Sequence, residues 1–404
     1  MSSGEDLLVP EGTRLLHIGP HKTGSTAIQV GFNTAREALA EHGVVYAGSG
    51  LRPQVAGWAL GLTGRPAGSP IPRPVHWRRL RDEVAAVSTG RVCISNEDFG
   101  RAGAHQRSKI VRDLGGEQVH VVAAARRLDS FLPSQWQQRV RAGDARSFDE
   151  WLRVVLDRSN PSFSWDRMNV WRAHDTTALV TNWTTVVSPD RFTLVVLDET
   201  DRRLLPATFE QLLGLPDRFL DSPADRSNRG LTWAEVELVR SVNLLAEQED
   251  WPEQLQISYI RRAMNLELRG RAITGDPRMP PLPAWALEQV REISEQRVEE
   301  LATLGVRVIG NLETLKVPDS VVAASPGEPP PTVDLETAAL AVGAVVHRIA
   351  HLKAKRAATA SAPAREATSA KRNQQGRSPK RAARTWRSVP RALRRYIRQL
   401  RRRT

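Results

Sequence analysis

The chain has one cysteine, Cys93, in 404 residues. That excludes an intrachain disulfide and a cysteine-based zinc cluster, and such usage suits a reducing cytoplasm. Long apolar runs are missing too. The longest, TAALAVGAVV between Glu336 and His347, is about half of the ~20 residues that a membrane span requires. The opening MSSGEDLLVPEG is acidic and polar, with no visible secretory signal, so a cytoplasmic location is expected. The His, Asp and Glu spacing leads us to expect no metal centre. No Gly-Lys-Ser/Thr triplet occurs, which argues against an ATP-dependent phosphoryl-transfer enzyme of the ordinary kind.

Most of the chain also lacks an excess of either charge, despite an overall net charge of +13. Residues 353–404 hold 18 of the 58 Lys and Arg but one of the 45 acids, Glu366, a net of +17. The other 40 basic and 44 acidic residues leave −4 on the rest. A nearly neutral body with a basic tail needs two separate explanations, and a nucleic-acid-binding protein driven by its tail accounts for only one.

What is present is a rhythm of short β-rich runs and longer helical patterns. RLLHIG (14–19), GVVYAG (43–48), RVCISN (91–96), HVVAAA (120–125) and FTLVVLD (192–198) read as strands. Several are apolar on both faces, as in a parallel sheet covered by helices. Ile28, Phe32, Ala35 and Leu39 predict a helix over 26–41, stopped by Gly43. Thr232 and Glu235 have capping-box spacing at the start of another. A long helix is expected over 283–304, followed by the short apolar run VRVIG (306–310). The expected fold is α/β and doubly wound, with about five mainly parallel strands. Its domain covers 13–315, after an N-terminal extension (1–12). A Pro-rich linker (316–332), an Ala-rich helix (333–356) and a basic low-complexity tail (357–404) follow.

Two segments carry chemistry. HIGPHKTGSTAIQ (17–29) follows a strand and opens a helix, the place for a phosphate-binding turn. Gly19 and Gly24 allow tight turning and close backbone approach. Ser25 and Thr26 add hydroxyls at a helix N-terminus, and Lys22 sits inside the loop rather than after its last glycine. His21 is placed close to any anion held there, whereas His17 alternates with apolar neighbours and reads as packed. In VVAAARRLDSFLPSQWQQ (121–138), Arg126 ends a strand and Ser134 lies eight residues on, in the next helix. A guanidinium fork and a hydroxyl converging from a strand end and a helix make a second anion site. Two such sites on neighbouring strand ends suit a nucleotide phosphorylated at both ends of its ribose.

PHKTGST and R-x7-S in this order resemble the 5′- and 3′-phosphate motifs of sulfotransferases that use 3′-phosphoadenosine-5′-phosphosulfate (PAPS). HIGPHKTGSTAIQ and ARRLDSFLPSQWQ are especially similar to bacterial, actinomycete-type members. The resemblance covers about residues 12–315. It implies a P-loop-like α/β domain in which Lys22, Thr23, Gly24, Ser25 and Thr26 hold the phosphosulfate, and the position of His21 beside that loop makes it a further binding candidate. Arg126 and Ser134 would bind the 3′-phosphate, and Arg229 in RSNRGLT (226–232) would contribute to anion binding. Lys22 would stabilise charge on the departing bridge oxygen. The resemblance implies transfer to a hydroxyl or amine of a glycan or small-molecule acceptor, without a metal. The loop departs from the pattern at Ala27, where many members carry an adenine-stacking tryptophan. Glu97 in VCISNEDFG is the candidate general base at the sheet's C-terminal edge, with Asp98 or a histidine as alternatives. Trp136, Trp151, Trp165, Trp171 and Trp183 are read as packing residues, with an acceptor-pocket role as the alternative.

In the tail, Trp386, Val389, Leu393, Ile397 and Leu400 recur three or four apart among arginines. Residues 384–404 therefore read as a basic amphipathic helix suited to the anionic inner face of a membrane, ahead of nucleic acid.

Overall fold

A computed structural model describes residues 7–62, 69–160, 162, 164–221, 229–270, 278–325 and 331–361. The basic stretch 384–404 and residues 326–330 of the Pro-rich linker lie outside the described residues. The chain divides into two units, Met1–Ala350 and His351–Thr404. Of the second, only the end of a helix, to Ser361, is described.

The first unit begins with β1 (Arg14–His17), α1 (Ser25–Thr34), β2 (Val44–Tyr46), α2 (Gln54–Ala59) and α3 (Val75–Ala85). It continues through β3 (Arg91–Ser95), α4 (Ala104–Leu114), β4 (Val119–Ala125), α5 (Leu128–Arg141) and α6 (Phe148–Leu156). Next come α7 (Trp165–His174), α8 (Thr176–Thr184), β5 (Phe192–Val196), α9 (Leu204–Leu213) and α10 (Trp233–Gln248). The short α11 (Glu253–Leu255) runs through a π-helical stretch, Gln256–Met264, into α12 (Asn265–Gly270). The last elements are α13 (Ala284–Ala302), β6 (Arg307–Ile309) and α14 (Leu335–Ser361).

The six strands form one sheet in the order β2-β3-β1-β4-β5-β6, and every neighbouring pair is parallel. The expected doubly wound α/β architecture is therefore present, with one strand more than the five runs read as strands. The sixth, Arg307–Ile309, is the core of the short apolar run VRVIG, and its three residues are half-buried.

Alternation along the strands feeds two cores. Leu16, Ile94, Val121, Ala123 and Leu194 pack with α3, α4, α8 and α13. Leu15, Cys93, Val122, Ala124 and Val195 pack with Ile28 and Phe32 of α1 and Phe209 of α9. A third, all-helical cluster gathers Trp136, Trp151, Val236, Ile260 and Leu287. Trp136, Trp151 and Trp183 are fully buried.

One local expectation differs in detail and another is met. The helix over 26–41 ends at Thr34, and a 3₁₀ turn, Ala38–His42, leads to Gly43 at φ 66°. Asn33 and Thr34 are poor helix formers at the break. The Thr232–Glu235 capping box forms: the Glu235 amide donates to the Thr232 hydroxyl at 3.3 Å. Glu235 in turn accepts from the Thr232 amide at 2.8 Å. Among the described residues one helix, Leu335–Lys355, is long and apolar enough to cross a membrane by length and composition alone, with mean hydropathy 1.2.

The topology fixes where a ligand can approach. From β1 the chain leaves towards β2 on one side, whereas from its neighbour β4 it leaves towards β5 on the other. Connections that diverge from adjacent strands open a crevice at their carboxyl ends. The segments after β1, β3 and β4 all meet there.

Candidate functional site

The loop after β1 is shaped by three left-handed residues: Gly19 at φ 82°, Lys22 at φ 68° and Gly24 at φ 81°. Gly19 is required by space as well as by conformation. A Cβ there would lie 2.5 Å from the Glu97 Cβ and 2.8 Å from its Cα. The loop can therefore sit directly on the chain that leaves β3. Lys22, with a side chain, holds a conformation that costs on the order of 1–2 kcal/mol, sustained by the surrounding structure. The hydroxyls of Thr23 and Ser25 turn inwards and donate to the Pro20 carbonyl at 2.7 and 3.3 Å. They brace the loop from within. Gly24 caps α1, and Thr26 is exposed in its first turn.

Cations converge on this loop. Lys22 is half-buried. Burial, followed by the charges of Arg141, Arg269 and Arg126, pushes its ammonium down to about 8. Arg126 joins the two sequence motifs directly, its Nη1 donating to the Lys22 carbonyl at 3.3 Å. The same guanidinium is partly neutralised by Glu199, at 2.9 and 3.2 Å. Ser134 lies half-buried in the second turn of α5. Arg141 follows it by two helical turns, on the same face. Burial and the neighbouring Arg269 lower Arg141 to about 10. Its buried Nε has no hydrogen-bond partner among the described residues. An uncompensated donor beside a depressed lysine fits an anion with several charges.

Arg229 is engaged elsewhere. Its guanidinium clamps Glu235, with both contacts at 2.7 Å, and also donates to the Leu268 carbonyl. Its own carbonyl accepts from Arg269 at 3.3 Å. The backbone of the expected anion-binding residue thus adjoins the cationic cluster, while its side chain braces the start of α10.

Beneath the loop lies a paired ionic network. Glu97 accepts from Gln29 at 2.9 Å and contacts Arg52. His21 bridges two acids, with Nδ1 3.3 Å from Glu97 and Nε2 3.1 Å from Asp98. Burial, with Arg101 next, lowers His21 to about 4 against the opposing effect of Asp98. Asp98 is 1% exposed and lies 3.5 Å from Arg101. His17 is fully buried between the Ser95 hydroxyl, at 2.8 Å, and the Phe209 ring. Burial drives it to about 3.

Glu97, unlike Asp98, faces a cleft of about 810 Å³. Thr26, Gln29 and Arg52 share its floor, and His76, Arg79 and Glu83 on one face of α3 form a wall. Apolar Leu51 and Val55 stand exposed on its rim. None of the five tryptophans singled out in the sequence lines it.

Sequence reading missed Gln29, Arg52, Arg141 and Arg269. Gln29 carried a usable signal, lying one helical turn after Ser25 on the same face. Arg141 had a weaker one, two turns beyond Ser134. Arg52 and Arg269 had none. His347 and His351 stand four apart on α14, a pair that the sequence reading passed over. Among the described residues no group of three or more His, Cys, Asp or Glu suited to a metal ion gathers around them or elsewhere.

No protein-family model matches the chain, and no curated protein matches it. Among solved structures the chain is similar to a sulfotransferase from Alicyclobacillus acidocaldarius, with 12% identity and a TM-score of 0.34. The match covers 59% of this chain and 96% of that one.

Proposed function

We propose that the chain is a PAPS-dependent sulfotransferase acting on a hydroxyl or amine of a glycan or small molecule. One observation carries this reading: the charges of Arg141, Arg269 and Arg126 all act on Lys22, in the loop that follows β1. The 810 Å³ cleft lined by Glu97 adjoins the same loop through Thr26. An anion cradle beside an acceptor-sized cleft is what group transfer from a charged donor needs.

In this reading the loop Lys22–Thr26 and the α1 N-terminus hold one end of the donor. Arg126, Ser134 and Arg141 hold the other. When bound, PAPS supplies an activated sulfuryl group. Lys22 contributes fixed positive charge, worth more in a half-buried site than in water. Glu97 takes the proton from the acceptor at its carboxylate, and Gln29 and Arg52 keep that carboxylate oriented. The buried position of Asp98 suits a supporting role, holding His21 against the loop. Arg229 acts through Glu235 and Arg269 rather than on the donor itself.

The test is thermal stabilisation by adenosine 3′,5′-bisphosphate, compared with ATP–Mg²⁺ and with duplex DNA. The bisphosphate is expected to raise the melting temperature most. Stabilisation by ATP–Mg²⁺ alone would overturn the reading in favour of phosphoryl transfer, and stabilisation by DNA alone would favour a binding protein.

A further inference from the structure

The helix α14 turns its apolar residues outwards. Thr337 and Ala341 are its buried positions, 6% and 4% exposed, and Ala341 belongs to the all-helical core cluster. On the opposite side Leu335 is 90% exposed, Val342 63%, Val346 55% and Ile349 36%. At about 100° per residue these four fall within roughly 60° of one another. Ala338, Ala339 and Ala350 complete the same stripe, so no charged or hydrogen-bonding side chain interrupts it from 335 to 350. Scattered exposed apolar residues are ordinary on a soluble surface, but a continuous stripe about 24 Å long is not. The next position on the stripe is Lys353, where the segment of net charge +17 begins.

We propose that this stripe lies in the interfacial layer of an anionic lipid bilayer, to which the net charge of +17 that the sequence carries from Lys353 onwards also attracts the chain. The pairing of an apolar helix face with a following polybasic segment selects the occupant. Apolar burial and attraction to anionic headgroups reinforce one another on a membrane. A second copy packed in parallel would bring two +17 segments side by side. Nucleic acid would engage the basic residues and leave the stripe in water. Because Thr337 and Ala341 are packed into the body, α14 lies along the bilayer surface and does not cross it.

The test uses the full chain and vesicles of phosphatidylcholine with or without phosphatidylglycerol. Wild type is expected to co-sediment with the anionic vesicles. Combined Val342→Asp, Val346→Asp and Ile349→Asp should weaken that binding by about tenfold or more. Undiminished binding by the triple variant, or wild type that ignores anionic vesicles, would overturn the proposal. So would a wild-type dimer that the triple variant dissolves while vesicle binding stays the same. A second measurement does not depend on the folding of the triple variant. Cys93 is fully buried, so Val346→Cys can carry a polarity-sensitive fluorophore alone. Its emission should shift to the blue on anionic vesicles, and more than that of a label at His347→Cys on the helix flank. Equal or absent shifts would place the stripe outside the lipid.

Discussion

Replacing Lys22 with Met should make the free protein more stable and its nucleotide complex weaker. The lysine sits at about 8 instead of 10.5 because burial and three arginines oppose its charge. That difference corresponds to about 3 kcal/mol against the charged form. Solvent access to the half-buried side chain reduces it to about 1–2 kcal/mol. Methionine keeps the length of the stem and removes the charge, so Lys22→Met should raise the melting temperature of the free protein by a few degrees. The same substitution removes a charge-assisted contact worth about 1.5–3 kcal/mol to a bound phosphate. Affinity for adenosine 3′,5′-bisphosphate should then fall roughly 10- to 100-fold. The pH dependence gives an independent check. Between pH 8 and 10.5 the unfolded chain keeps the Lys22 proton while the folded chain loses it. The unfolded state binds more protons in that window, so stability from this group rises with pH. Wild type should show that rise, and Lys22→Met should lack it. Differential scanning fluorimetry with and without the bisphosphate, at pH 7 to 10, measures all three effects. A variant that is less stable when free yet keeps its full ligand-induced shift would refute the argument.

Glu97→Gln should lower turnover by about 10²–10⁴-fold while bisphosphate binding persists; loss of binding, read by calorimetry, would make Glu97 part of the donor site instead. Gly19→Ala should destabilise the fold by about 2–4 kcal/mol, because the added methyl meets Glu97 backbone and the φ of 82° is unfavourable for it. Urea midpoints should reveal that cost, and a neutral substitution would mean the loop does not rest on Glu97. Acid should weaken the protein through its buried histidines. Burial depresses His17 to about 3 and His120 to about 4, below an unfolded value of 6.5. The unfolded state therefore binds more protons below pH 6.5, and stability is lost as pH falls from there towards 4. By pH 5 each contributes a loss of about 2 kcal/mol. His17→Gln should flatten the pH dependence of the urea midpoint between pH 7.5 and 5, and an unchanged slope would show that His17 is not the source.

The sequence by itself determined the sheet and the two loops that crown it. Strands such as Val119–Ala125 are apolar on both faces, and such runs are stable only between two helical layers. A glycine-bracketed turn between strand and helix likewise dictates its own geometry, because only glycine enters the left-handed region freely at positions 19 and 24. The tertiary structure decided what those elements face. It brought the charges of Arg141 and Arg269 to bear on a lysine far away in the chain, paired Arg52 with Glu97, set Glu97 rather than Asp98 in the cleft, and committed Arg229 to Glu235. It also turned the apolar stripe of α14 outwards, which composition cannot show, since a buried and an exposed stripe read alike. Local conformation follows from side-chain and backbone preferences within a few residues, whereas the neighbours of a charged group depend on how distant elements pack.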